Sequence, residues 1–250
     1  MKRTSYNVFR QIVRSAADKA VVPLRVMFEL TYDCNFRCKH CYIPGSFRAK
    51  YRIAQLDTRQ VFGILDMLKN AGCLFLGLTG GEPFIRKDIF EIIEYAISLG
   101  FRLTVNTNGS FLNSRAVRRL ARAGPIKIDI TLPGMSRPVF ESITGDAGSH
   151  RKVFKAIDLL RRNRIPLGLK SCLLRQNENE IKAIRKFARC LRVPYRLDTL
   201  LSRRLDGSAE PYKLRGGIAG AGMNKPGSIR NRPGSARDRK VQRKQSLFFC

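Results

Sequence analysis

Leu24-Arg-Val-Met-Phe-Glu-Leu30 runs through Thr31-Tyr32-Asp33 into Cys34-Asn-Phe-Arg-Cys38-Lys-His-Cys41-Tyr42. The first stretch reads as a β-strand, and the cysteines follow directly from its end. Their spacing lines up no single face of a helix or a strand. It suits a loop curled around a compact metal object, with three thiolates converging on it. Three protein ligands leave one coordination position open, as catalytic metal sites do and closed structural sites do not. On spacing alone a structural zinc site with His40 as fourth ligand stays open as an alternative.

Working outward, the chain alternates. Asp57-Thr-Arg-Gln60 has the form of a capping box and opens a helix with Val61, Ile64, Leu65 and Leu68 on its apolar face, stopped by Gly72. Residues 73–78 are an apolar run of strand length that ends in Thr79-Gly80-Gly81-Glu82-Pro83. Helices are predicted over 88–99, from Asn113 to 123, from a Ser149 cap to 163, and from a second capping box, Asn177-Glu-Asn-Glu180, to 191. Strands are predicted over 102–106, 126–132, 167–173 and 195–200. Six strands alternating with five helices argue for an α/β fold, a parallel sheet with helices outside. The cysteine loop, the double glycine, Thr107-Asn108-Gly109 and Thr131 all fall at carboxyl ends of strands, the edge where α/β sheets and barrels carry their chemistry.

At 250 residues, 44% of them apolar, the chain is long enough for one sizeable core. No run of eighteen apolar residues exists, so no membrane span is predicted. The first residues lack the pattern of a secretory signal, which predicts a cytoplasmic protein with reduced thiols. Seven cysteines then point to metal or catalysis rather than disulfides. The net charge of +29 favours acidic partners: nucleic acid, an acidic peptide or an acidic electron-transfer protein. A generally basic proteome would give the same excess, and no aromatic-studded nucleic-acid motif accompanies it. Residues 1–21 read as a short helical lead-in. Residues 216–250, with six glycines and 8 basic residues against 1 acidic, read as a disordered basic tail or as the aberrant end of a longer coding region.

The loop Cys34-x-x-x-Cys38-x-x-Cys41, with His40 before the third cysteine, resembles the signature of the radical S-adenosylmethionine (radical SAM) enzymes. Thr79-Gly80-Gly81-Glu82-Pro83 resembles their second motif. The flanking words Glu29-Leu-Thr-Tyr-Asp-Cys34 and Thr107-Asn-Gly109 also match, and the resemblance covers about residues 22–210. It is closest to the SPASM-type branch of peptide maturases and haem-related enzymes, which share the pattern Cys-Asn-x-x-Cys-x-His-Cys-Tyr.

The resemblance implies a partial (β/α)6 TIM-like barrel over residues 22–215, open on one side. It implies one 4Fe–4S cluster on Cys34, Cys38 and Cys41, with S-adenosylmethionine chelating the remaining iron. One electron would cleave that cofactor to a 5′-deoxyadenosyl radical that abstracts hydrogen from a substrate, while the protein supplies position and excludes water. Gly80 and Gly81 would let the backbone approach the methionine end of the cofactor, and Glu82 would accept from its ammonium group. Pro83 would complete the cofactor-binding turn, though read by itself it equally helps the following chain begin a helix. His40 and Tyr42 would lie by the cofactor, and Asn108 and Thr131 would supply polar contacts, though Asn108-Gly109 is equally a good turn. Lys170 and Asp198 lie where substrate contacts would come from.

The implied substrate is a peptide or protein side chain, with a small molecule such as a tetrapyrrole, or RNA, as alternatives. A flavodoxin or ferredoxin would be the electron donor. Arg203-Arg-Leu-Asp-Gly207 resembles the approach to a cysteine-rich extension that holds further clusters in this branch, yet only Cys250 follows it. Cys73 and Cys172 lie in strand runs that suggest burial. A truncated, inactive metal-binding module is therefore the alternative outside enzymes.

Overall fold

The computed structural model describes residues 22–53 and 55–217. The predicted helical lead-in and the tail beyond residue 217 lie outside the described residues. Six strands form one parallel sheet: β1 (Arg25–Glu29), β2 (Phe75–Thr79), β3 (Arg102–Thr107), β4 (Ile126–Thr131), β5 (Leu167–Cys172) and β6 (Tyr195–Asp198). They pair strictly in chain order, and among the described residues no ladder joins β1 to β6. Right-handed crossovers between strands laid down in one direction put every connecting helix on the same face.

The side chains record that arrangement. Leu76, Leu78, Leu103, Val105, Ile128, Ile130 and Leu169 point outward and are buried against Ile92, Ile93, Val117, Leu120, Val153, Ile157 and Ile184 of the helices. Each such burial contributes roughly 1.5–3 kcal/mol. The alternate positions, among them Arg25, Arg102, Thr104, Asn106, Lys127, Asp129 and Lys170, stay partly or fully exposed on the inner face. The inner face is therefore polar and accessible, not filled by layers of branched apolar side chains as in an eight-stranded barrel.

The helices are α1 (Gly45–Ile53), α2 (Thr58–Asn70), α3 (Ile89–Ser98), α4 (Ser114–Ala123), α5 (Arg137–Thr144), α6 (Ser149–Arg162) and α7 (Ile181–Leu191). The capping box at Asp57 is real: the Gln60 amide donates to Asp57 Oδ1 at 2.8 Å, and Gln60 Oε1 accepts from the Asp57 amide at 3.0 Å. Asn113 caps α4 through the Ala116 amide.

Three expectations fail. Ser149 is not a cap but the first residue of α6, where its hydroxyl donates to the Asp146 carbonyl. Asn177 and Glu180 form no capping box. Asn177 bonds the carbonyls of Pro133 and Cys172, and Glu180 accepts from the Met135 and Ser136 amides. Buried backbone groups at the ends of β4 and β5 need partners, and they claim these side chains first. Finally, α1 and α5 are additional helices. The sequence of α1, Gly-Ser-Phe-Arg-Ala-Lys-Tyr-Arg-Ile, shows no clear apolar period, and α5 is short, with proline in its first turn.

Candidate active site

The cysteine loop leaves β1 and is tied down at several points. The Arg37 and Lys39 amides donate to the Thr144 and Ile143 carbonyls at the end of α5, at 2.8 and 3.1 Å. Asn108, just past β3, donates to Asn35 Oδ1 at 2.9 Å and approaches Cys34 Sγ at 3.8 Å. From α1, the Arg48 guanidinium donates to the Phe36 carbonyl at 2.5 Å and to Cys41 Sγ at 3.4 Å. Arg48 is only 8% exposed, and its Nε has no partner. The two helices that the sequence did not announce thus hold the loop that it did.

The glycine turn is built differently. A Cβ on Gly80 would lie 2.2 Å from the Thr31 carbonyl oxygen, and one on Gly81 would lie 2.1 Å from that of Asp33. The turn runs directly beneath the start of the cysteine loop, and the Gly81 and Glu82 amides donate to the Thr31 and Asp33 carbonyls at 2.7 and 2.8 Å. Gly80 also adopts φ +133°, which side chains disfavour. The close approach that these glycines serve within the chain is to the loop backbone. Glu82 is fully buried; its carboxylate accepts from Thr107 Oγ1 and the Asn108 amide, both at 2.7 Å, and from the Phe84 amide at 3.1 Å. Burial pushes its pKa up to about 7 against the opposing pull of those donors. Pro83 opens a buried 3-10 turn.

A cavity of about 270 Å³ lies where these pieces meet. Of the residues singled out from sequence, Cys34, Cys38, Cys41, His40, Tyr42, Gly80, Gly81, Asn108 and Thr131 line it; Glu82 and Pro83 lie behind it. Lys170 and Asp198 line it too. Arg48 and Cys172 are the residues that sequence reasoning missed. Cys172, expected to be buried, faces this cavity because β5 turns Gly168, Lys170 and Cys172 inward. A strict count of two along the strand from Lys170 could have found it. Cys73, by contrast, is buried as expected.

Burial dominates the electrostatics. It pushes the Cys34 thiol up to about 11 and Cys38 still higher, with Arg48 pulling both down. Burial alone holds His40 down, at about 4. Tyr42 is raised by burial and by its hydrogen bond to the Glu29 carboxylate. Buried thiols with high pKa values become thiolates when a metal replaces their protons.

Three cysteine thiols bordering one cavity are a donor set that fits a thiolate-held cluster, since thiolates are the ligands such clusters take. Arg48 adds the second indication: a buried guanidinium with an orphaned Nε and no acidic partner among the described residues sits against Cys41. A buried cation of this kind is costly unless negative charge lies beside it, and a thiolate-bound cluster supplies that charge.

The family model described as the Radical SAM superfamily matches residues 28–188. The chain belongs to the radical SAM superfamily. Members of the superfamily use a 4Fe–4S cluster and S-adenosylmethionine. Among curated relatives, the AdoMet-dependent heme synthase of Methanosarcina barkeri is 29% identical over 159 residues, covering 64% of this chain and 45% of that protein. The mycofactocin maturase MftC of Mycobacterium ulcerans is 33% identical over 138 residues, covering 55% and 36%. This radical SAM chain therefore spans less than half the length of either relative. Among solved structures, Streptococcus suis SuiB bound to its precursor peptide SuiA superposes with a TM-score of 0.61 at 16% identity, covering 79% of this chain and 45% of that one. Among the described residues no helix is long and apolar enough to cross a membrane.

Proposed function

We propose that residues 22–215 form a radical SAM core that modifies a peptide or protein side chain. One observation carries the reading: the three cysteines, the glycine turn and Asn108 border a single cavity, and that cavity adjoins the polar inner face of the six-stranded sheet. Similarity to a mycofactocin maturase, and to the fold of a protein solved with its precursor peptide, supports a peptide as the substrate. Similarity to a heme synthase supports a second reading, a small molecule of tetrapyrrole type.

In this proposal Cys34, Cys38 and Cys41 hold the cluster and Arg48 balances their charge. When bound, the cluster and S-adenosylmethionine supply reductive cleavage of the cofactor and abstraction of a hydrogen atom from an unactivated carbon. His40, Tyr42, Gly80, Gly81, Asn108 and Thr131 border the cofactor. Glu82 acts from behind, fixing the turn to Thr107 and Asn108 so that the backbone presented to the cofactor keeps its shape. Lys170 and Asp198 face the substrate side. The excess of basic residues suits an acidic donor such as a flavodoxin or ferredoxin in the cytoplasm.

Anaerobic reconstitution of the full chain with iron and sulfide, followed by reduction in the presence of S-adenosylmethionine, tests the reading. Release of 5′-deoxyadenosine is expected. A colourless chain that holds zinc and leaves S-adenosylmethionine intact would overturn it. Hydrogen abstraction from peptide libraries, against none from porphyrin substrates, separates the two substrate readings.

A further inference from the structure

Below the cavity, the inner face continues into a second chamber of about 540 Å³ that reaches the amino-terminal ends of the strands. Asn106 and Lys170 line both chambers, so the two adjoin at the hydrogen bond between these side chains. Arg25, Arg102, Lys127, Lys170 and Arg196 line the lower one, with Asp129 as its acidic residue. The sheet register explains the convergence. Arg25 and Arg102 flank Phe75 on neighbouring strands, and Lys170 is the partner of Arg196.

Part of this charge is already neutralised, Lys127 by Asp129 at 2.7 Å and Arg196 by Asp198 at 3.1 Å. Among the described residues Arg25 and Arg102 carry no ion pair, and Lys170 Nζ donates to the neutral amide of Asn106 at 2.9 Å. A concave chamber with unbalanced cations concentrates anions.

We propose that this lower chamber is a docking site for acidic residues of the peptide substrate. The inference rests on the peptide reading above and names the class of peptide: one with carboxylates on one side of the modified position. Carboxylates engage Arg25 and Arg102 at the mouth, and the chain then runs up the inner face past Lys170 to the cysteine cavity. From Arg102 to Asn108 the strand and its end rise roughly 20 Å at about 3.3 Å per residue. An extended peptide covers that distance with about six residues, so the acidic group sits about six residues from the modified one. Single strands are gripped by stacking on aromatic faces; Phe75 at this mouth has the Arg25 guanidinium over it at 5.2 Å, and Tyr195 also lines the chamber, so a nucleic acid is the rival outcome of the test.

The test uses the full chain and three fluorescent probes: hexaglutamate, hexaglutamine and a six-nucleotide oligouridylate. Hexaglutamate is expected to bind, more weakly as salt rises, and hexaglutamine not to bind. Arg25→Gln with Arg102→Gln should weaken hexaglutamate binding by about tenfold or more, the scale of losing a charged hydrogen bond. Arg118→Gln with Arg122→Gln removes the same charge from the exposed face of α4 and should leave binding within about twofold, as expected of surface charge remote from the site. Equal loss in both double variants, no binding of hexaglutamate, or tighter oligouridylate binding lost only in the mouth variant would each overturn the proposal. Release of 5′-deoxyadenosine from the reconstituted chain is read in parallel. If it fails while the mouth variant still loses hexaglutamate, the radical reading falls and the docking site stands.

Discussion

The cysteine loop and the glycine turn face each other across the same cavity, yet they are built on opposite principles. The loop sends side chains inward, and its backbone is fastened from outside by α1, α5 and Asn108. The turn offers backbone to the cavity and sends its one charged side chain away from it, into a fully buried network. The loop's identity lies in what its residues donate, the turn's in what its residues lack. Substitutions should therefore damage the two in different currencies: metal content at the loop, fold stability at the turn.

The largest effect is expected at the loop. Cys38→Ala should abolish bound iron after reconstitution while leaving the melting transition nearly in place, whereas Cys190→Ala, on an exposed position of α7, should keep the iron. Equal loss from both would erase the contrast. Gly81→Ala should do the reverse. Its Cβ would meet the Asp33 carbonyl at 2.1 Å, and forcing the two backbones apart should cost about 3 kcal/mol, read by chemical denaturation before any metal is added.

Glu82 sharpens the comparison through pH. Its folded pKa, about 7, lies above the ordinary 4.5, so the folded state holds the proton more tightly than the unfolded one. Its contribution to stability is complete below about pH 4.5 and is lost as pH rises through 7. Glu82→Gln removes that titration. The stability of the parent chain relative to the variant should fall by about 2 kcal/mol between pH 5 and 8, measured in parallel urea titrations. A constant difference would mean that Glu82 is not buried as described.

Smaller effects are expected at the fasteners. Arg48→Met removes the hydrogen bond to Cys41 and the nearby positive charge, which should shift the midpoint potential of the reconstituted cluster to more negative values. Arg48→Lys should restore part of it. Asn108→Ala should cost about 1 kcal/mol by freeing Asn35, with the cluster retained.

The sequence was most legible where local chemistry and tertiary demand agree. The six strands and the shared rim follow from apolar runs that end in glycines, asparagines and cysteines. The polar inner face is also written in β3 and β4, where Arg102–Thr107 and Ile126–Thr131 alternate cleanly in burial. What stayed hidden depends on distant partners. The helix α1 has a weak pattern because its defining contact, Arg48 to the loop, is polar. Asn177 and Glu180 look like a capping box, yet the ends of β4 and β5 compete for them. Glu82 reads from sequence as a cofactor contact, and only its neighbours across the sheet show it as a buried brace.

The central claim is that the loop's thiolates hold a cluster with one place kept for the cofactor. Electron paramagnetic resonance of the reconstituted, reduced full chain, recorded with and without S-adenosylmethionine, tests it most directly. The account predicts the spectrum of a reduced 4Fe–4S cluster that changes when S-adenosylmethionine is added and is missing from Cys38→Ala. A spectrum indifferent to S-adenosylmethionine, or a colourless chain holding zinc, would contradict it.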